Sequence, residues 1–153
     1  MCTASANIQK IINIILPAIG IGLMIFYEVC DTSCSYIQGT FAGVDLKYIG
    51  ILFMAALFAF SLPPALRYET PVNHLRTMML AGAMGGEILL VRFQIVHEVY
   101  CPFCLAFGLC VLIIFTANFM KMNKYMAAGA LLAGLCAFWL FFDGSVAPLY
   151  SYY

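Results

Sequence analysis

Apolar residues along the chain gather into five runs, at residues 8–27, 46–62, 75–96, 102–120 and 125–142, and the short stretches between them carry most of the charge. A helix needs ~20 consecutive apolar residues to cross ~30 Å of hydrocarbon, so each run reads as a membrane-spanning helix. The second run is the shortest and closes at Pro63-Pro64, which cannot continue a helix interior. Only Lys121-Met122-Asn123-Lys124 separates the fourth run from the fifth, which predicts a tight antiparallel hairpin. The pattern therefore predicts an all-α, polytopic bundle of five transmembrane helices forming a single domain over residues 1–153. No internal repeat and no soluble domain is visible.

Composition supports the same class. The chain is 65% hydrophobic and 9% charged, whereas a soluble domain carries about 25% charged residues. Its formal net charge is zero, so no basic surface argues for nucleic acid. Lys10 ahead of the first run resembles the start of a secretory signal, but Tyr27-Glu28-Val29-Cys30 is bulky and acidic, and we expect this helix to be retained. Lys10, Arg67, Arg76, Lys121 and Lys124 fall on one side of a five-span chain. Glu28, Asp31, Asp45, Glu98 and Asp143 fall on the other, with only Lys47 and Arg92 nearby. The positive side is expected to face the cytoplasm. Both cysteine pairs then lie on the outer face of a cytoplasmic (inner) membrane, where disulfides persist.

The candidate chemistry is sulfur chemistry. Cys101-Pro102-Phe103-Cys104 opens the fourth run, and Pro102 suits the first position of a helix. Cys104 then falls in the first turn, where free N–H groups and the helix dipole favour a thiolate, so it is expected to be a reactive sulfur. Cys30 and Cys34, four residues apart, come within about 5–6 Å if their segment turns helically, which is disulfide reach. Gly39 and Gly43 let the segment fold back, and Ser35 and Thr40 are its nearest hydroxyls. Phe103, Phe107 and Tyr100 are candidate ring contacts for a ligand, although ordinary bundle packing also accounts for them. His97 precedes Cys101 by one helical turn and is a candidate proton donor or acceptor, or simply an interfacial histidine. Glu87 is the deepest ionisable group of the third run; it is either functional or a capping or pairing residue within the bundle. Arg92 and Gln94 lie close enough to the surface to snorkel. Cys2, Cys110 and Cys136 receive no chemistry, since a free Cys in an apolar run behaves as a small apolar residue.

Two outer dithiols can relay oxidising equivalents by thiolate attack on a disulfide. Cys30/Cys34 suits contact with a soluble partner, and Cys101/Cys104, at the membrane boundary, suits a lipid-soluble two-electron acceptor such as a quinone. First-turn N–H groups would stabilise the charge that a thiolate leaves on a quinone oxygen. A second reading is a metal carrier in which the four outer cysteines bind a soft ion such as Zn or Cu(I). A third is a structural membrane protein with one or two stabilising disulfides.

The loop Cys pair after the first span, the hydroxyl and glycines before the second, the Gln94-x6-Cys101 approach and Cys101-Pro-Phe-Cys104-Leu105 together resemble the vitamin K epoxide reductase family, in its prokaryotic quinone-coupled branch, over about residues 11–119. The resemblance implies a four-helix catalytic core with a fifth span added. It implies that Cys30 and Cys34 are shuttle cysteines, that Cys34 forms an interloop disulfide with Cys101, that Cys30 meets the partner and that Cys104 attacks the quinone. Thr40 matches the family's Ser/Thr near the active site, and Gln94, Phe103 and Phe107 would contact the quinone. Gly108 stands where animal members have a quinone-contacting tyrosine, so a plain quinone of ubiquinone or menaquinone type is the expected acceptor. Many bacterial relatives carry a fused thioredoxin-like domain after the fifth span. Here only residues 143–153 follow it, so a separate periplasmic or extracytoplasmic thioredoxin-fold partner is implied. The activity implied is that of a quinone-dependent protein-dithiol oxidoreductase.

Overall fold

The computed structural model describes residues 2–29, 37–62 and 69–146. Cys30 and Cys34 lie outside the described residues, and their expected helical turn and pairings are not part of the geometry below.

Among the described residues five α-helices form: α1 (Cys2–Val29), α2 (Leu46–Phe60), α3 (Glu69–Val96), α4 (Pro102–Asn118) and α5 (Lys124–Phe141). They match the five apolar runs. Four of them, all but α2, are long and apolar enough to cross a membrane. At 15 residues, α2 rises only about 22 Å, so its expected span falls short of ~30 Å of hydrocarbon. Large apolar side chains remain on the outside of the bundle, among them Leu52, Trp139 and Leu140. That is an arrangement suited to lipid as solvent, and the chain is consistent with a multi-pass helical membrane protein.

Packing explains which helices become neighbours. α1 lies between α2 and α4, α3 lies against α4, and α2 touches α3 only lightly. These four helices enclose a core of Met54, Leu57, Leu80, Val111 and Ile114, all essentially inaccessible. Away from the sheet, α1 and α4 are clasped by reciprocal amide bonds: Asn118 Nδ2 donates to Asn13 Oδ1 at 2.8 Å and Asn13 Nδ2 donates to Asn118 Oδ1 at 3.2 Å. Gln9 Nε2 adds a third bond to Asn118 Oδ1 at 3.0 Å.

The turn between α4 and α5 is tight, as its four residues predict. A 3₁₀ turn over Phe119–Lys121 ends α4, and Asn123 Oδ1 caps α5 by accepting from the N–H groups of Tyr125 and Met126. The expected α4–α5 hairpin packing does not follow, because α5 lies along α3 instead. The reason is the small-residue face of each helix. A Cβ on Gly134 would strike the carbonyl oxygen of Gly82, and one on Gly85 would strike that of Leu131. Backbone-to-backbone approach of this kind drives helix association where lipid removes the hydrophobic term.

The described residues are helical in the main, as the apolar runs predict, with one addition those runs do not show: a small antiparallel sheet in the order β2-β1-β3, made of β1 (Ile37–Phe41), β2 (Val44–Asp45) and β3 (Phe142–Val146). β1 and β2 form a hairpin with Phe41 opposite Val44, and the two residues between, Ala42 and Gly43, both have positive φ (52° and 81°). This is the geometry that matches strand twist in a two-residue loop. β1 also pairs along its length with β3, from Ile37 opposite Val146 to Phe41 opposite Phe142. The sheet thus ties the segment before α2 to the end of α5. At this same end of the bundle the Lys47 ammonium meets Glu28 at 2.6 Å, joining the start of α2 to the end of α1.

Candidate active site

α3 ends in a C-terminal turn that delivers Cys101 to its position. The Glu98 N–H donates to the Ile95 carbonyl at 3.3 Å and the Val99 N–H to the Gln94 carbonyl at 3.1 Å, the two bonds of a Schellman ending. Glu98 takes the left-handed position (φ 54°) that glycine usually fills. Three residues later the Cys101 N–H donates to Gln94 Oε1 at 3.0 Å. Gln94 is therefore not a snorkelling side chain: it is 3% exposed and pins the start of α4 to the end of α3.

Cys101 is the N-cap of α4 and Pro102 its first helical residue, as the spacing predicts. Cys101 Sγ accepts the Cys104 N–H at 3.4 Å. The helix end thus addresses Cys101, whereas sequence reasoning assigned that benefit to Cys104. The Cys104 thiol beside it, with the N–H groups of Cys104 and Phe103, holds the Cys101 pKa down to about 6. Neither sulfur is in a disulfide. Cys101 is buried behind the helix start, and Cys104 is half-buried.

Cys104 opens on a cavity of about 520 Å³ in the gap that α2 and α3 leave between them. Its walls are apolar, with Met24, Phe53, Met79, Phe107 and Phe138 among them, and its polar groups are few: Gln94 and Glu87 inside, Tyr27, Glu28, Asp45 and Lys47 from the sheet end. Gly39 and Phe41 of β1 also line it. Both described flanks of the segment that carries Cys30 and Cys34, Glu28 before it and Gly39 after it, therefore border the same space as Cys104. A second cavity of about 390 Å³ shares Cys104 and Glu87 with the first and runs between α3 and α4 along Ile88, Leu109 and Leu112, which are exposed on the outside of the bundle.

Of the other residues singled out from the sequence, Gln94 and Phe107 line the large cavity. Phe103 does not; its ring lies against Phe26 (6.1 Å) and Tyr27 (5.9 Å) of α1. Thr40 sits in β1, where its Oγ1 donates to the Asp143 carbonyl at 3.5 Å. His97 is exposed and packs on Phe93 with ring centroids 4.3 Å apart. Tyr100 is exposed too. Cys110 is buried in the core and Cys136 lies exposed on α5. Sequence reasoning missed Phe53, Phe93 and Phe138 as cavity walls, and no local signal marks them, because their common neighbour comes from helices far apart in the chain. Glu87 did carry a signal, as a charge deep in an apolar run. Among the described residues no group of three or more His, Cys, Asp or Glu is placed to hold a metal ion.

No family model, curated protein or solved structure matches this chain.

Proposed function

We propose that the protein is a membrane thiol oxidoreductase that passes electrons from a dithiol partner through Cys30/Cys34 to Cys101/Cys104 and on to a quinone, supporting disulfide formation outside the cytoplasm. The observation that carries this reading is a cysteine pair split between two environments at one helix start. Cys104 faces a large apolar cavity, and Cys101 sits behind it as the cap that receives the helix N–H.

The cavity suits a quinone on its own terms. Ligand pockets commonly hold ~300–1,000 Å³, walled by apolar and aromatic groups with a few polar ones to fix orientation. A bound quinone would supply a sink for two electrons, the number a dithiol releases in becoming a disulfide. The residues divide the rest of the work. Cys104 Sγ is the sulfur that meets the acceptor. Cys101 is a good leaving group from the interloop disulfide with Cys34, because a thiol of low pKa leaves faster. Once released, it is already a thiolate near neutral pH and closes onto Cys104. Gln94 keeps the Cys101 backbone in place through these exchanges. The partner would be an extracytoplasmic thioredoxin-fold domain. The sheet end would face outward in the inner membrane, as the basic residues at the opposite end favour.

The test uses the purified protein in lipid, a reduced dithiol peptide and a quinone whose absorbance reports reduction. Cys104→Ala is expected to abolish turnover, whereas Cys110→Ala, a core thiol, leaves it within about twofold, as expected of a thiol that only packs. Unchanged turnover in the Cys104 variant refutes the reading. Stoichiometric Zn binding that disappears with either cysteine pair would favour a metal carrier instead.

A further inference from the structure

Glu87 has no part in the mechanism above, yet it occupies the junction of both cavities. It lies seven residues before Gln94 on α3, hence on the same face and about 10 Å further from the helix end. α4 runs the other way, and the matching step of seven leads from Cys101 to Gly108. Each α3 residue meets its counterpart: Gln94 bonds the Cys101 N–H, and Glu87 lies so close to Gly108 that a Cβ there would come within 2.7 Å of Oε2. Cys104 stands between these two contacts on α4. Among the described residues Glu87 and Cys104 are the two that border both cavities.

Among the described residues Glu87 has no cation partner and no side-chain hydrogen bond. A carboxyl group inside an apolar bundle is costly and marks function by default, and here no bond gives it a structural task. Gly108 supplies the space for it: any larger side chain at that position would displace the carboxylate.

We infer that Glu87 is the proton carrier of Cys104. This inference rests on the thiol oxidase reading and adds a residue to it. Oxidation of the Cys101/Cys104 dithiol forms one S–S bond and releases two electrons and two protons, all of which a quinone takes up. The Glu87 carboxylate takes the Cys104 Sγ proton as that sulfur becomes a nucleophile. It returns the proton to the acceptor oxygen as the electron pair arrives. Cys101, the thiolate at the helix start, has already released its proton to water, and water at the Glu28–Lys47 end of the cavity supplies the second.

Among the described residues the other ionisable groups around the cavities are Tyr27 and Glu28 of α1 and Asp45 and Lys47 at the start of α2. α5 contributes Gly134, Ala137 and Phe138 to the cavity and no ionisable group. The decisive pair is therefore Glu87 with Cys104. In quinone-free protein carrying Cys101→Ser, a hydroxyl that still caps the helix, N-ethylmaleimide labelling of Cys104 is followed against pH. The two interacting groups should give a two-step profile, and Glu87→Gln should lose one step. With Cys101 restored, Glu87→Gln should slow quinone reduction about 100-fold, at the low end of what a positioned acid–base group supplies, and Glu87→Asp should recover part of it.

A labelling profile unchanged by Glu87→Gln, with turnover within about twofold of wild type, overturns the inference. It leaves the oxidase reading standing. Absence of quinone reduction by the wild-type protein has the opposite meaning, since it defeats that reading while the labelling profile still reports the proton exchange. If Glu87→Gln does not fold, Glu87→Asp and the pH-dependent infrared carboxyl band of wild type take its place. A band that does not respond when Cys104 is alkylated overturns the inference equally.

Discussion

The bond from the Cys101 N–H to Gln94 Oε1 joins two helices at the point where the candidate chemistry takes place, and its removal can be worked through from the structure. Gln94→Leu keeps the side-chain bulk but takes away the acceptor. The 3.0 Å bond is buried, with Gln94 3% exposed and Cys101 1% exposed, so water does not replace the oxygen. A buried N–H left without a partner costs about 1–3 kcal/mol, or roughly 5- to 150-fold in the folding equilibrium at 1.4 kcal/mol per decade. Urea unfolding in detergent micelles, followed by circular dichroism, measures this term. The same substitution loosens the cap, so the Cys101 thiolate, read by its ultraviolet absorbance, should form at higher pH than in wild type. Gln94→Glu provides the contrast. It restores an acceptor and hence much of the stability, but it puts a negative charge beside Cys101 and raises the thiolate midpoint further. Wild-type stability in Gln94→Leu, together with an unmoved Cys101 midpoint in both variants, would refute the idea that this bond sets the geometry of the helix start.

Three further outcomes are expected. Because the Cys101 pKa is depressed to about 6 in the folded chain and lies near ~8.5 in an unfolded one, the unfolded chain binds more protons between these values. The stability difference between wild type and Cys101→Ser should therefore grow as pH rises from about 6 to ~8.5 and level off outside that window; a difference that shrinks as pH rises contradicts the assignment. Glu98→Gly, at the left-handed position ending α3, should raise stability by about 0.5–1 kcal/mol in urea titration, and a loss would mean that the Glu98 side chain has a role of its own. Asn118→Ala breaks the amide clasp to Asn13 and Gln9 and should cost about 1–2 kcal/mol, whereas replacing Asn13 and Asn118 together by Leu should cost less than the sum of the single changes, as a double-mutant cycle will read.

The helices were legible because hydrophobic run length is a local property, and so was the opening of α4, where Pro102 and the cysteine spacing mark a helix start directly. The sheet was not legible. β1 is only Ile37-Gln38-Gly39-Thr40-Phe41, and its long partner begins at Phe142, a pairing about 100 residues apart that no window along the chain contains. The position of α5 was misread for a similar reason. A short loop makes α4 the obvious neighbour, but Gly82 and Gly85 let the backbone of α5 come directly against α3. The site divides along the same line. The helix start was visible, but which sulfur it serves depends on the cap geometry of Cys101, since the cap and not the first turn receives the N–H. Thr40, His97 and Phe103 are near the cysteines in sequence but do not line the cavity, whereas Phe53 and Phe138 are remote in sequence and face it.

The seating of α5 on α3 bears on how the protein is made. α5 leaves the ribosome after α4, and through Gly134, Ala137 and Phe138 it supplies one side of the cavity that Cys104 faces, while β3 completes the sheet beside it. During synthesis the thiols of α4 are thus present before their enclosure exists. A nascent chain would hold Cys101 and Cys104 in an open cleft, and the compartment would close only when α5 reaches its glycine seat on α3.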